Sequence, residues 1–300
     1  MIKFLEVSID GIALGAIYSL LGLGFVIIYR ATNVISLAQP SIMLLSAYFT
    51  LYLRTVHDFS FFLALAVAIV LGSAVAAVVE RIVVRPLAGK KEAVFAAVMV
   101  TIGVDVVLRV ISTHLVGGGS RGMGDPWGLS TFRLGDVLIF EHDVAAIVVA
   151  ILTAILLLVF LRRTRYGLAM RATAVDQESA LAKGIPIGRM FNLSWLLAGA
   201  LAAIGGTFVA IESGGLNQGT YSVALKALPV IILGGLDSIS GALVAGIIIG
   251  LVETITAVYQ PGAAPWLGSN FSVVAPYVVM VAVLLFRPYG LFGTREVERV

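Results

Sequence analysis

Long apolar stretches alternate with short polar segments along the whole chain, and a bilayer core requires about 20 apolar residues per helix. Most of the stretches are long enough to cross, whereas a shorter one, residues 225–236, is interrupted by glycines. The pattern therefore predicts an all-α integral membrane fold with about eight long transmembrane helices and one short interrupted segment. The eight predicted spans are residues 7–29, 35–53, 60–80, 92–115, 144–161, 190–212, 240–259 and 271–287.

Composition agrees with a chain that lies in a membrane. Hydrophobic residues make up 60% of it and charged residues only 12%, whereas roughly 25% of an ordinary soluble domain is charged. Cysteine is absent, and the three histidines His57, His114 and His142 are scattered, so we expect no disulfide, no metal site and no cofactor. No linker rich in proline and serine divides the chain, and one transmembrane domain over residues 1–300 is the simplest interpretation.

Basic residues indicate which side of the membrane each loop occupies, because cytoplasmic loops carry an excess of Lys and Arg. The largest polar segment, residues 162–189, contains six of them. We therefore place this segment and the C-terminus in the cytoplasm and the N-terminus outside. The basic excess records orientation and gives no reason to expect a nucleic-acid partner. The residues assigned to the cytoplasmic face are Arg30, Arg81, Arg85, Lys90, Lys91, Arg162, Arg163, Arg165, Arg171, Lys183, Arg189, Arg287, Arg295 and Arg299.

This orientation constrains the short segment 225–236. One long helix over residues 225–259 would put the basic C-terminus outside, so we predict that the chain dips inward, breaks at Gly234 and Gly235, and returns. The alternative is a simple tight turn between two ordinary helices. With the break counted, the fifth span connects two groups of four helices. The first group begins outside the membrane and the second group begins inside. This is the pattern of an inverted repeat around a translocation path.

Two polar loops occupy matching positions in these halves, RATNVISLAQPS after the first helix and ESGGLNQGTYS after the sixth. Uncharged polar side chains can hydrogen-bond a passing solute without trapping it, so both loops are candidates for the substrate path. The alternative is that the same side chains cap the helices that follow. The candidates are Asn33, Ser36, Gln39 and Ser41 on the cytoplasmic side and Asn217, Gln218 and Ser222 on the outer side.

Three charged residues fall inside or at the edge of predicted spans, where an ionisable group is costly. Asp105 and Arg109 are four residues apart on one helix and can neutralise each other, so a structural pair is favoured over a proton relay. Glu253 has no partner on its own helix and is either a boundary residue near the outer face or bonded to another helix. These groups are too few and too scattered to favour a proton-coupled carrier.

The segment TAVDQESALAKG within residues 162–189 has the signals of a short helix. Thr173 or Asp176 can cap its start, and Glu178 favours the first turn. Lys183 favours the last turn and Gly184 the stop. A capped polar helix in the largest cytoplasmic loop suits docking to a cytosolic partner. The alternative is a solvated loop whose basic residues only set the topology.

Three regions resemble the hallmark regions of the LivH-type permease subunits of branched-chain amino acid ABC transporters. They are LGAIYSLLGLGFVIIYRATNVISLAQ, YGLAMRATAVDQESALAKGIPIGRMFNLSWLLAGALAAIGGTF and LKALPVIILGGLDSISGALVAGIIIGLVE. The regions occur in order, and together with the final span before RPYGLFG they extend the resemblance over nearly the whole chain.

The resemblance implies a multi-pass permease of the bacterial or archaeal inner (plasma) membrane. Its expected partners are a second related permease subunit, two cytosolic ABC ATPases and an extracytoplasmic solute-binding protein. The short helix would be the coupling helix, which sits in a groove of the ATPase. The residues assigned to coupling are Thr173, Asp176, Gln177, Glu178, Ala180, Lys183 and Gly184.

ATP hydrolysis is expected in the partner, because the chain has no G-x-x-x-x-G-K-[ST] loop. The segment ISLAQPS, with Leu37, Gln39 and Pro40, replaces a motif like N-F-A-H-G that family members commonly carry. The substrate class implied by the resemblance is therefore broad: branched-chain or other amino acids, urea or short amides, and aromatic or other carboxylates. The alternative functions are an ATP-independent carrier or channel, and a membrane scaffold that transports nothing.

Overall fold

The computed structural model describes residues 2–87, 93–117, 119–128, 130–268 and 270–294. Four residues of the orientation argument, Lys90, Lys91, Arg295 and Arg299, lie outside this part of the chain. Twelve α-helices occur in the described residues. They are α1 (Ile2–Thr32), α2 (Gln39–Thr55), α3 (Phe61–Val79), α4 (Ala93–Val116), α5 (Glu141–Arg163), α6 (Arg165–Val175), α7 (Gln177–Ala182), α8 (Ile187–Glu212), α9 (Thr220–Leu225), α10 (Ala227–Gly234), α11 (Ile239–Ala263) and α12 (Phe271–Phe286).

Six helices in the described part of the chain are long and apolar enough to cross a membrane: α1, α3 with its continuation to Leu87, α4, α5, α8 and α11. The mostly helical, multi-pass membrane fold is therefore confirmed. Helices also form at the other two predicted spans, but α2 has 17 residues and α12 has 16. The count of eight spans stays a prediction.

One element of the fold is not helical. Strands β1 (Thr131–Leu134) and β2 (Val137–Phe140) pair antiparallel across a two-residue turn, at which Gly135 has a φ of +67°. The backbone N–H of Leu138 donates to Glu6 Oε1 at 2.9 Å, which attaches the hairpin to the start of α1. The all-α prediction missed this hairpin because it lies between two spans, where the apolar runs indicate only a loop.

The chain divides into two compact units. The first comprises Met1–Val26, Trp127–Ile151 and Leu225–Val300, and the second comprises Ile27–Pro126 and Leu152–Ala224. In the first unit most of α1, the opening helix of the N-terminal half, packs with α10 and α11. In the second unit α8, the opening helix of the C-terminal half, packs with α2 and α3. Each half of the sequence therefore contributes its first helix to the other half's unit.

Glycines make the helix crossing in the second unit. A Cβ atom on Gly199 of α8 would lie 2.5 Å from the carbonyl oxygen of Gly72 and 2.8 Å from Ser73 Cα, both on α3. Seven residues along α8, a Cβ on Gly206 would lie 2.7 Å from Met43 Cγ on α2. Small residues thus let the helix backbones approach closely.

The first unit repeats this crossing with different residues. A Cβ atom on Gly15 of α1 would lie 2.8 Å from the carbonyl oxygen of Gly246 and 2.7 Å from Ile247 Cα, both on α11. Seven residues along α1, a Cβ on Gly22 would lie 3.0 Å from Val230 Cγ1 on α10. The same glycine spacing therefore makes the same contacts in both units. This correspondence supports the predicted repeat and was not recognised in the sequence.

The predicted break at Gly234 and Gly235 is confirmed. Helix α10 ends at Gly234, Gly235 has a φ of +106°, and Ser238 Oγ accepts a hydrogen bond of 3.0 Å from Gly241 N at the start of α11. The segment after α12 lies against this turn, because Leu291 N donates to Leu233 O at 2.8 Å and Phe292 N to Gly234 O at 3.0 Å. The turn and the C-terminal segment therefore lie at one end of the unit, and the inward dip of the chain stays a prediction.

Candidate coupling surface and substrate path

The segment from residue 162 to residue 189 forms two short helices rather than one. Thr164 ends the long helix α5 and caps α6, since its Oγ1 accepts a hydrogen bond of 2.9 Å from Gly167 N. Gly167 packs directly on the backbone of Phe160 and Leu161, so a side chain at this position would collide with α5. Helix α6 was not predicted, although Thr164 is a recognisable N-cap residue in the sequence.

Helix α7 has the cap and the stop that the sequence predicts. Asp176 Oδ1 accepts from Ser179 N at 3.1 Å and its Oδ2 accepts from Ser179 Oγ at 2.6 Å. These hydrogen bonds hold the pKa of Asp176 below its usual value. At the other end, Gly184 has a φ of +79°, and the N–H groups of Gly184 and Ile185 donate to carbonyl oxygens of the last helical turn in a Schellman motif.

The predicted coupling residues differ in how much surface they offer. Glu178, Lys183 and Gly184 are exposed and Gln177 is half-buried. Thr173 is not a cap: it is buried in α6, and its hydroxyl donates to Ala169 O at 2.9 Å. Ala180 is also buried. Thr173 and Ala180 therefore support the helix pair from inside and present no surface.

Apolar side chains on the same segment are exposed, and the sequence analysis missed them. Val175, the last residue of α6, is 88% exposed, and Leu181 on α7 is 61% exposed. The segment is too polar to enter the bilayer, so lipid does not account for this exposure. Two exposed apolar side chains on one polar segment make it a candidate for a protein contact surface. We call Val175, Glu178, Leu181 and Lys183 the α7 surface.

The substrate-path candidates in the loop after α1 differ in exposure and in hydrogen bonding. Asn33 is exposed and ends α1 in the left-handed conformation, with a φ of +54°. Ser36 and Gln39 are each 1% exposed, and Ser36 Oγ and Gln39 Oε1 have no hydrogen-bond partner. Gln39 Nε2 donates to Ala198 O on α8 at 3.0 Å. Since buried polar atoms are normally paired, Ser36 and Gln39 are the path candidates that can still bind a solute or a water molecule.

Two of the substrate-path candidates in the loop after α8 form hydrogen bonds within that loop. Asn217 Nδ2 donates to Gly215 O at 3.3 Å, and Asn217 N donates to Thr220 Oγ1 at 3.2 Å, next to the start of α9. Ser222 Oγ donates to Gly219 O at 2.7 Å, and Gln218 is exposed. The Asn217 side chain therefore bonds within its own loop, and Thr220 rather than Asn217 supplies the side-chain contact at the start of α9.

Asp105 joins three helices of the second unit near the middle of α4. Its carboxylate accepts hydrogen bonds from Ser41 Oγ on α2 and from Tyr221 Oη on α9, the latter at 2.8 Å. The guanidinium of Arg109 lies over the Tyr221 ring, 4.7 Å from its centroid. Asp105 and Arg109, both in the described part of the chain, form no ion pair with each other within 4.0 Å. The two charges therefore share Tyr221 as a neighbour, and the preference for a structural pair over a proton relay stays a prediction.

Glu253 is bonded to other helices of the first unit, which is one of the two predicted alternatives. Tyr18 Oη on α1 donates to its Oε2 at 2.8 Å, and Lys226 Nζ at the start of α10 forms an ion pair with its Oε1. Lys226 is 7% exposed, so both charges of the pair are largely removed from solvent. Hydropathy drew attention to Glu253, but nothing in the local sequence indicated Lys226 as its partner.

Comparison with known proteins identifies the family. The family model described as "Branched-chain amino acid transport system / permease component" matches residues 8–285. The chain belongs to this family. It is 27% identical to the high-affinity branched-chain amino acid transport system permease protein LivH of Escherichia coli (strain K12), over 99% of this chain and 98% of that protein. It is 26% identical to BraD of Pseudomonas aeruginosa, over the same shares of the two chains.

A solved structure has the same fold. A chain of PsaBC from Streptococcus pneumoniae, solved in complex with Fab, superposes with a TM-score of 0.52. The match covers 93% of this chain and 90% of that one at 15% sequence identity. The likeness at this identity concerns the fold alone.

Proposed function

We propose that this permease is the transmembrane subunit of an ATP-driven ABC importer that carries amino acids. Branched-chain amino acids are the first candidates, because the relatives that match over nearly their full length are named for them, and related small carboxylates or amides follow. The single structural observation that carries the proposal is the α7 surface, in which Val175 at the end of α6 and Leu181 on the capped helix α7 are exposed between two membrane spans.

The proposed assembly contains this permease, a second related permease subunit, two cytosolic ABC ATPases and an extracytoplasmic solute-binding protein, in a bacterial or archaeal inner (plasma) membrane. The permease contributes no catalytic residue, and the ATPases hydrolyse ATP. The α7 surface docks into an ATPase groove. Leu181 and Val175 supply apolar area to this contact, while Glu178 and Lys183 supply charges at its edge.

Within the membrane, Ser36 and Gln39 are the proposed solute contacts. Their unpaired oxygen atoms can exchange hydrogen bonds with a passing solute. A few uncharged contacts suffice, because the solute-binding protein provides the affinity and the permease must release the solute.

Co-purification with the ATPase tests the docking role. We expect Leu181→Arg to leave the permease inserted but to abolish both co-purification with the ATPase and stimulated ATP hydrolysis, because it places a charge in the apolar centre of the contact. Trp266→Arg is the matched control, since Trp266 is 82% exposed on the predicted outer side. Undiminished co-purification of Leu181→Arg would show that the ATPase docks elsewhere.

A further inference from the structure

A buried carboxylate stands at the end of α3 in the second unit. The chain continues from α3 into a single π-helical turn, Glu80–Val84. Glu80 is fully buried, and its carboxylate oxygens accept hydrogen bonds from Arg85 Nε at 3.0 Å and Arg85 Nη2 at 3.1 Å. Glu80 and Arg85 are five positions apart, and the i→i+5 geometry of a π turn brings such residues to one face; π turns are frequent at functional positions.

The same two side chains bind the first turns of α8. Asn192 Nδ2 donates to Glu80 Oε2 at 2.7 Å and to Ala77 O at 3.1 Å. Arg85 Nη2 also donates to the carbonyl oxygen of Gly188. Three hydrogen bonds of Glu80, Arg85 and Asn192 therefore connect the end of α3, which is cytoplasmic by the predicted orientation, with the start of α8.

Gly188 follows the end of α7 closely. Only Ile185, Pro186 and Ile187 separate it from Gly184, where α7 stops, and the Pro186 ring restricts the backbone of this connector. The Ile185 N–H is itself bonded to Ala180 O of α7 at 3.0 Å. The connector is therefore short and held at both ends, so a displacement of α7 must reach Gly188 with little slack.

Stability alone is a weak reason for this arrangement. Removing a charge pair from water is expensive, and well-packed apolar residues often do as well or better in its place. A bidentate guanidinium–carboxylate pair instead fixes the relative position of the groups that it joins. Here the pair fixes Arg85 at the end of α3, where its Nη2 also donates to Gly188 O on the segment that follows α7.

We propose that Glu80, Arg85 and Asn192 form a polar clamp that transmits displacement of α7 to α3, and that they are positioning residues for the coupling of ATP hydrolysis to transport. The proposal rests on the proposed function. The clamp contacts neither ATP nor solute. It makes the end of α3 follow the coupling segment when the ATPases close.

The test compares Asn192→Leu, which removes the clamp's uncharged member, with Thr207→Val. Thr207 is also buried in α8 and its hydroxyl contacts that of Thr50 on α2 at 3.0 Å, but it lies far along the helix from α7. In reconstituted complexes we expect Asn192→Leu to keep ATPase co-purification and ATP hydrolysis, while transported solute per ATP falls roughly tenfold, as for the loss of a hydrogen bond to a charged group. Thr207→Val should keep the wild-type ratio.

A distance measurement separates transmission from a merely structural role. The chain contains no cysteine, so spin labels can be attached after Ala182→Cys on α7 and Val78→Cys on α3. We expect one label distance throughout the ATP cycle in the wild type and in Thr207→Val, and a nucleotide-dependent distance in Asn192→Leu. If the Asn192→Leu permease does not insert into the membrane, the test uses Arg85→Lys instead, because lysine keeps the positive charge but cannot form the bidentate contact with Glu80.

An inserted clamp variant with the wild-type transport ratio and a constant label distance would overturn the clamp. A wild-type complex that takes up solute without ATP would instead overturn the proposed function. The two failures are therefore distinguishable.

Discussion

The glycine contact between α8 and α3 allows a quantitative prediction about packing. In Gly199→Ala, the new Cβ atom would lie 2.5 Å from Gly72 O and 2.8 Å from Ser73 Cα, whereas ordinary contacts begin at 3.4 Å. The contacts are thus too short by 0.9 Å and 0.6 Å. Both neighbouring atoms are backbone, so no rotamer change relieves the overlap and the helices must separate. Overpacking of this kind costs about 1–3 kcal/mol.

Thermal unfolding of the detergent-solubilised permease measures this cost. We expect Gly199→Ala to lower Tm by roughly 2–4 °C per kcal/mol lost. Gly15→Ala should lower it similarly, because Gly15 makes the equivalent contact in the first unit. The matched control is Gly103→Ala in α4, where a new Cβ would meet no atom within 4 Å. If Gly199→Ala and Gly103→Ala unfold at the same temperature, the glycine crossings do not hold the helices together.

Three further predictions concern the cap, the path and the topology. Hydrogen bonds lower the pKa of Asp176 in the folded state. Asp176 therefore stabilises α7 at pH values above the ordinary carboxyl pKa, and this stabilisation is lost as the pH falls through the lowered pKa. Amide hydrogen exchange of α7 should show the loss in the wild type but not in Asp176→Ala. Gln39→Leu should reduce uptake at unchanged ATP hydrolysis, whereas Asn217→Leu should leave the uptake ratio near wild type, and equal effects would contradict the assignment. A cysteine at Gly262 should react with an impermeant thiol reagent added outside and one at Lys183 should not; labelling of Gly262 from inside only would exclude the re-entrant turn.

Local sequence signals predicted the local features of this fold. Apolar runs located the long helices, because a span must satisfy its backbone within the helix. Gly184 predicted the stop of α7, and Asp176 was one of two predicted caps, since caps depend on neighbouring residues only. The break at Gly234 and Gly235 also followed, from charge parity and from glycine's access to positive φ.

Features that depend on long-range contacts were not predictable in the same way. Tyr221 meets Asp105 across 116 residues of sequence, and Tyr18 meets Glu253 across 235. Which partner a buried charge finds is decided by helix packing, and no spacing rule covers it.

Burial separated residues that look alike in the sequence. Ala180 and Leu181 are neighbours in the predicted coupling helix, yet Ala180 is buried and Leu181 is 61% exposed. The helix has only six residues, too few for hydrophobic periodicity to assign its faces. The structure was therefore needed to identify the residues of the α7 surface.

The central claim is that this permease works only as part of an ATP-driven importer. Its most direct test is uptake of radiolabelled leucine into proteoliposomes that contain this permease, its second permease subunit and the ATPases, with the solute-binding protein outside the membrane. We expect accumulation against the leucine gradient when ATP is supplied on the ATPase side, none with a non-hydrolysable ATP analogue, and no dependence on an imposed proton gradient. Accumulation that is driven by a proton gradient in the absence of ATP would contradict the account and identify a secondary carrier.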